Sequence, residues 1–277
     1  MTSSVLTARI LGCGSSGGVP RVAQGWGACD PLNPKNRRRR CSLLLRQSHS
    51  RKAPEDSEQT NVIIDTSPDL REQLLDAGIM HLDGVFLTHP HADHIHGMDD
   101  VRPIVIHTKR KIDAVMDETT SHSVVNRFRY IFQTPNGSLY PELLTEQRIE
   151  AGGNWRFEGK GGPMDLTCFR LHHGDIDALG IRVGNLAYTP DLNDIPHESM
   201  AYLHDLDVWI IDALRYEPHP SHLCLADALR WIDHFKPRRA ILTNLNTELD
   251  YETLKAELPP HITPAFDGMT IELQPAS

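Results

Sequence analysis

The sequence predicts an α/β protein, one domain over residues 1–277, whose strand–strand–helix–strand opening matches the first half of a four-layer αββα sandwich. Three observations carry this. Strand-length apolar runs alternate with helix-period segments in both halves of the chain. Hydrophobic residues make up 39% of the composition, enough for a sizeable core at this length. Several apolar runs end directly in histidine or aspartate, so buried strands deliver polar side chains at their tips.

Val5 to Leu11 alternates as a strand and leads into the turn Gly12-Cys13-Gly14-Ser15-Ser16-Gly17-Gly18-Val19-Pro20. That turn serves either as a phosphate nest, with Ser15 contacting substrate, or as a tight packing loop. Gln24 to Asn36 is loop. Cys41 to Gln47 and Asn61 to Asp65 are strands, joined by a polar stretch from Ser48 to Thr60 that reads as an exposed, mobile hairpin. Pro68 opens a helix that Leu70, Leu74, Leu75 and Ala77 define and Gly78 stops. Val85 to Thr88 is the next strand.

From Asp99 to Pro163 the pattern weakens. Arg102 to Lys111 and Ser123 to Phe132 read as helical, but glycines break up the chain beyond them, and residues 99–163 read as an insertion bordering the site. Leu166 to Leu171, Leu179 to Val183, Leu186 to Thr189 and Val208 to Ala213 are strands. Leu223 to Phe235 is an amphipathic helix. Ala240 to Leu245 is a strand, Tyr251 to Leu258 a helix and Met269 to Leu273 the closing strand.

The net charge of −9 hides an asymmetry. Lys35 to Lys52 holds eight basic residues and no acidic one, which leaves 20 basic against 37 acidic residues elsewhere. An acidic body disfavours long nucleic acid, whereas a focal basic patch suits a small phosphorylated substrate. Five scattered cysteines without a Cys-x-x-Cys pair read as reduced thiols. With neither a signal peptide nor a membrane-length apolar run, a cytoplasmic location away from membranes is expected. The oligomeric state is open, a homodimer included.

The chemistry concentrates in Phe86-Leu87-Thr88-His89-Pro90-His91-Ala92-Asp93-His94. In extended chain His89 and His91 point the same way and can share one ion. Asp93 and His94 can hold a second, at the roughly 3.5–4 Å spacing of two-metal hydrolases. Downstream strands end in His172-His173-Gly174-Asp175 and in Thr189-Pro190-Asp191, repeating the delivery of a ligand at a strand tip.

The run His89 to His94 resembles the His-x-His-x-Asp-His signature of the metallo-β-lactamase-fold hydrolases. With the Gly-Ser turn and the segment Asn36 to Ser42, the chain is similar to the branch of the phosphoribosyl cyclic phosphodiesterase of the carbon–phosphorus lyase pathway, related to ribonuclease Z. The resemblance implies that His89, His91 and His173 bind a first ion, Asp93 and His94 a second, and that Asp191 bridges them. It implies two divalent ions as cofactors, zinc, manganese or both. His222, after a buried strand and before a helix, matches the family's non-ligand catalytic histidine and is assigned phosphate contact and general acid. Arg39 and Arg40, within the run from Arg37, are the candidate clamps on a second phosphate or the sugar.

One departure stands out. The family commonly places a histidine after the strand that here reads Ile241-Leu242-Thr243-Asn244-Leu245-Asn246, and none is present. Asn246 is taken as the ligand, with Asn244 competing for the place. An amide oxygen is harder and weaker than imidazole, so the second site is expected to bind less tightly and to lean toward manganese, while three histidines suit zinc.

The expected function is hydrolysis of a small nucleotide-like or phosphoribosyl phosphodiester, cyclic esters included, through a metal-bridging hydroxide, with Asp93 and His222 catalytic. Alternatives are a nucleotide-binding protein with a degenerate second site, a tRNA 3′-processing nuclease, and a thioesterase of the glyoxalase II type.

Overall fold

The structure, a computed structural model, describes residues 5–49 and 58–273. Its first half contains β1 (Val5–Gly12), β2 (Ser42–Ser48), β3 (Thr60–Ile64), α1 (Leu70–Ala77), β4 (Gly84–Phe86), α2 (Ala92–Ile95), α3 (Arg102–Thr108), β5 (Ile112–Met116), α4 (Glu118–Arg127), α5 (Arg129–Phe132) and β6 (Leu144–Arg148). The second half contains β7 (Asn154–Phe157), β8 (Met164–His173), β9 (Ile176–Val183), β10 (Leu186–Thr189), β11 (Val208–Asp212), α6 (Leu225–Phe235), β12 (Arg239–Thr243), α7 (Tyr251–Glu257), β13 (Ile262–Pro264) and β14 (Thr270–Leu273). They build two seven-stranded sheets, ordered β14-β1-β2-β3-β4-β5-β6 and β13-β12-β11-β10-β9-β8-β7.

Successive residues of a strand face opposite sides, and this sorts the layers. Leu43, Leu45, Val62 and Ile64 of the first sheet meet Leu166, Ile181, Ile210 and Ile241 of the second in the central core. Their neighbours Leu44 and Ile63 turn outward onto Leu74, Ile95 and Val105. On the other side Trp209 and Leu242 pack against Ala228, Ile232 and Phe235 of α6 and Leu254 of α7. Strands covered on both faces read as unbroken apolar runs, which is why they stand out in the sequence. The result is the four-layer αββα sandwich.

Two sequence expectations change. Helix α1 begins at Leu70 instead of Pro68, with the Asp69 N–H bonded to Ser67 Oγ at 3.1 Å. Residues 99–163 are not an appended insertion, because β5 and β6 extend the first sheet and β7 edges the second. The polar edge strands β6 and β7 carry little apolar signal, which concealed them. This segment still borders the histidine motif, since the Arg127 guanidinium donates to Pro90 O at 2.8 Å. The expected hairpin between Ser48 and Thr60 falls largely on residues 50–57, which lie outside the described residues. All five cysteines are free and buried. No helix among the described residues is long and apolar enough to cross a membrane.

The strands that position the site run the same way. β3 to β6 are mutually parallel, and β10 to β13 likewise. β8 joins the second group in direction, because β9 pairs antiparallel with both β8 and β10. The C-terminal ends of these strands gather at one edge of the sandwich, where open α/β sheets form their crevices.

Candidate metal centre

Each polar group of the centre extends a buried strand by a few residues. Asp65 follows β3, His89 to His94 follow β4, His173 ends β8, Asp191 follows β10, Asp212 ends β11 and Asn244 follows β12.

Three imidazoles converge first. His91 Nδ1 lies 3.1 Å from both His89 Nε2 and His173 Nε2. Their outer ring nitrogens set the tautomers. His173 Nδ1 donates to the Ser221 carbonyl at 2.6 Å. His89 Nδ1 sits 3.0 Å from Thr88 Oγ1, whose own proton goes to Asp65 at 2.9 Å. Both Nε2 atoms are therefore left as lone pairs directed inward. Burial holds the His89 pKa well below the usual imidazole value and lowers that of His173, so both stay neutral and able to ligate.

A second cluster adjoins it. His94 Nδ1 donates to Asp65 Oδ2 at 2.7 Å. Its Nε2 lies 3.3 Å from Asp191 Oδ1 and 3.4 Å from Asp93 Oδ2, yet this buried atom meets neither in hydrogen-bond geometry. Nitrogen and oxygens instead point toward a common centre. Burial opposes a charge on His94, but Asp191, Asp65 and Asp93 outweigh it and hold the pKa well above the usual value. A nest of carboxylates round one imidazole calls for positive charge, and a divalent cation supplies it.

Asp191 stands between the clusters, with Oδ2 3.6 Å from His173 Nε2 and 3.8 Å from His89 Nε2 while Oδ1 faces His94. Burial works against its charge, but His94, His222 and His89 keep its pKa well below the carboxylate range. His222 faces it from the far side, its Nε2 3.9 Å from Asp191 Oδ2 and its Nδ1 2.9 Å from Asp212 Oδ2. Against burial, the Asp212 charge pushes the His222 pKa up to about 9. Burial in turn raises Asp212 to about 6, so near neutrality the two form an ion pair. His172 lies on the other face of β8, exposed and bonded to Asp177 at 3.1 Å.

The amide question resolves against Asn246. Its Oδ1 accepts the Glu248 N–H at 2.8 Å and its amide nitrogen turns to Glu248 Oε1, so it closes its own turn and none of these bonds reaches the cluster. Asn244 is the residue at the centre, its amide nitrogen 3.4 Å from Asp191 Oδ1 and 3.0 Å from His222 Nδ1. Its φ of 61° is left-handed, a conformation asparagine tolerates. It presents a donor to Asp191 and so positions that carboxylate.

The arginine run divides its labour. Arg38 is buried and donates to Asn246 O at 3.1 Å and Leu249 O at 2.7 Å. Arg39, expected to contact substrate, is instead committed to Asp267 at 3.0 Å and Asp76 at 2.7 Å, because the nearly buried Asp267 needs a cation. Arg40 pairs with Asp69 at 3.1 Å and lines a cavity of ≈ 590 Å³ that also touches Asp93. Ser15 is buried, its Oγ unbonded, and Ser16 and Gly17 line that cavity in its place. The Gly14, Ser15 and Gly18 N–H groups bond Arg39 O, Leu245 O and Ser15 O, which packs the two ends of the turn against its neighbours.

Sequence reasoning missed Asp65, Asp212 and Arg21. The two aspartates carried a usable signal, since each terminates a buried strand as the ligands do. Arg21, also on the cavity wall, carried none.

A paired-sheet scaffold whose strand tips hold an imidazole–carboxylate cluster able to bind metal defines the metallo-β-lactamase-fold hydrolases. The chain belongs to the beta-lactamase superfamily, whose domain matches residues 60–243. Within it the chain falls in the PhnP-related branch. It is 31% identical to a diphosphatase from the PhnP family, with 97% of each chain covered and a TM-score of 0.84. It is 32% identical over 265 residues to an octanoyltransferase of Porphyromonas gingivalis, but the match takes 94% of this chain and spans only 50% of that relative. The Zn²⁺-bound PqqB of Methylobacterium extorquens shares the fold at 18% identity and a TM-score of 0.75, with 96% and 100% of the two chains covered.

Proposed function

We propose that the protein is a dinuclear metal-dependent phosphodiesterase acting on a small nucleotide-like or phosphoribosyl phosphodiester. The observation that carries the reading is the His222–Asp212 ion pair aimed at Asp191, opposite neutral imidazoles with free lone pairs. His89, His91 and His173 would hold one ion, and Asp93, His94 and Asp191 the other, Asp191 being shared. Zinc suits the three-histidine set; the carboxylate-rich set, with an amide where a histidine is usual, suits manganese.

Bound divalent ions supply water activation and polarisation of a phosphoryl oxygen. The chain's own groups do the rest. Asp65 fixes His94 directly and His89 through Thr88. Asn244 steadies Asp191. The His222 Nε2–H is held over the centre, where it contacts a non-bridging oxygen and passes its proton to the departing alkoxide.

The diphosphatase relative supports phosphoryl chemistry, and an acidic body counts against precursor tRNA. One observation favours a second reading, a nucleotide-binding protein with a weakened second site: Asn244 offers a donor where the family has a ligand. Hydrolysis of bis(p-nitrophenyl) phosphate with added manganese or zinc separates the two. Turnover abolished by His222→Ala with metal retained supports the enzyme; metal binding without turnover favours the second reading. Preference for thioesters over phosphodiesters refutes both.

A further inference from the structure

We infer that Arg127, the last residue of α4, is a positioning residue for His91, and that its bond to the Pro90 carbonyl sets how tightly the three-histidine site keeps its ion. The inference rests on the assignment of His89, His91 and His173 to one ion, and it is independent of the substrate and the reaction.

The three imidazoles are not held alike. His89 and His173 are buried, and Thr88 Oγ1 and the Ser221 carbonyl fix their outer ring nitrogens. His91 presents Nδ1 to the other two rings but is itself exposed, and its Nε2 has no hydrogen-bond partner among the described residues. A ligand histidine ordinarily owes its orientation to a bond at its second ring nitrogen. Without one, the direction of the His91 ring depends on its backbone. Pro90, the residue before it, has no N–H, so its carbonyl is the one polar group by which that residue can be tied. The Arg127 Nη1 donates to it at 2.8 Å. His91 then runs extended, at φ −66° and ψ 150°, into α2, where its own carbonyl accepts the His94 N–H at 3.1 Å. The ligand is thus secured on both sides of its Cα.

Arg127 is well placed to act as the anchor. Asp117 caps α4 by accepting the Thr120 N–H at 2.7 Å, and Val124 buries in the outer core of the first sheet with Val125 and Phe128 packed against it. A cation suits the last turn of a helix, where the carbonyls are unpaired. The Phe128 ring meets His96 edge-on, 6.0 Å between centroids, so the α4–α5 junction touches the metal motif both before and after α2. Arg127 makes no other side-chain hydrogen bond or ion pair among the described residues, which leaves the Pro90 carbonyl as its one commitment. The second ion depends on different ties. His94 is bonded to Asp65 through Nδ1 at 2.7 Å, and its carbonyl accepts the Thr66 N–H, also at 2.7 Å. Losing Arg127 should therefore loosen one ion, whereas a general weakening of the fold would loosen both.

The test follows release of each ion from the full, zinc-loaded chain to a chromogenic chelator. His173→Ala, which removes a ligand of the first ion alone, marks the release phase that belongs to that ion. Removing a group that orients a ligand costs roughly 10–100-fold in metal affinity, and this bond is exposed and acts through the backbone, so the lower end applies. Arg127→Ala should speed the marked phase about tenfold and leave the other within about twofold. Arg127→Lys, which keeps a donor for the carbonyl, should restore much of the difference. With cobalt(II) in place of zinc, the visible absorption of the three-histidine ion should change in Arg127→Ala and return in Arg127→Lys. A marked phase that does not change in Arg127→Ala, or equal acceleration of both phases, overturns the inference. A wild-type protein with no ion whose release depends on His173 refutes the ligand assignment instead. Metal-free protein then still decides the positioning role: in NMR spectra Arg127→Ala should broaden the His91 ring signals and leave those of His94 in place, and an unchanged His91 overturns it.

Discussion

Replacing Asp212 by asparagine isolates the electrostatic element of the proposed acid. The amide keeps a hydrogen-bond acceptor for His222 Nδ1, now 2.9 Å from the carboxylate, but removes the charge that raises the His222 pKa to about 9. Burial, which opposes the imidazolium, remains. The pKa should therefore fall by two units or more, to about 6.5 or below. A group with a pKa of about 9 is almost fully protonated at pH 7.5, and one at about 6.5 only to roughly a tenth. If the protonated form donates to the leaving group, kcat/KM at pH 7.5 drops about tenfold and recovers as the pH falls toward about 6. The assay is the pH profile of phosphodiester hydrolysis for both proteins at saturating metal. An alkaline limb that stays where it is in the wild type, or a loss equal at every pH, would refute the assignment of His222 as an acid tuned by Asp212.

The geometry sets three further outcomes. Asp65→Ala strips the partner from His94 Nδ1 and from the Thr88 hydroxyl, and metal affinity measured by competition with a chelating dye should weaken about 10–100-fold. Asn246→Ala should leave metal stoichiometry unchanged, whereas Asn244→His should slow loss of the second ion to chelator; the reverse pattern would return Asn246 to the ligand set. Trp209 is fully buried and its Nε1 donates to Thr189 Oγ1 at 3.0 Å, so Trp209→Ala should cost about 3–5 kcal/mol in urea denaturation. A change under about 1 kcal/mol would mean that the face under α6 is loosely packed.

The sandwich was legible in the sequence because its central strands are buried on both faces, as in Ile210-Ile211 and Ile241-Leu242. β6 and β7 were not, since edge strands such as Leu144–Arg148 look outward and carry polar residues. The residues round the metal centre were legible for a different reason: histidines at two-residue spacing after a strand have few other uses, so His89, His91 and His94 were found from spacing and His173 and Asp191 from resemblance. Residues that orient those groups through hydrogen bonds leave fainter traces. Asp65 and Asp212 are ordinary aspartates until the fold sets them 2.7 Å and 2.9 Å from imidazoles. The arginine run misled in the opposite way. Four adjacent guanidinium groups suggest one clamp, but alternating burial sends Arg38 inward and Arg39 to Asp267, leaving only Arg40 to line the cavity beside Asp93.

The central claim, that these strand tips hold two divalent ions which the reaction needs, meets its most direct test in elemental analysis of the purified protein during stepwise chelation, with phosphodiester hydrolysis monitored in parallel. About two ions per chain are expected, the first lost easily together with most activity and the second, zinc, only under strong chelator. Two ions lost together as equally tight zincs would contradict the ranking of the sites, and full activity in protein freed of both would contradict the claim itself.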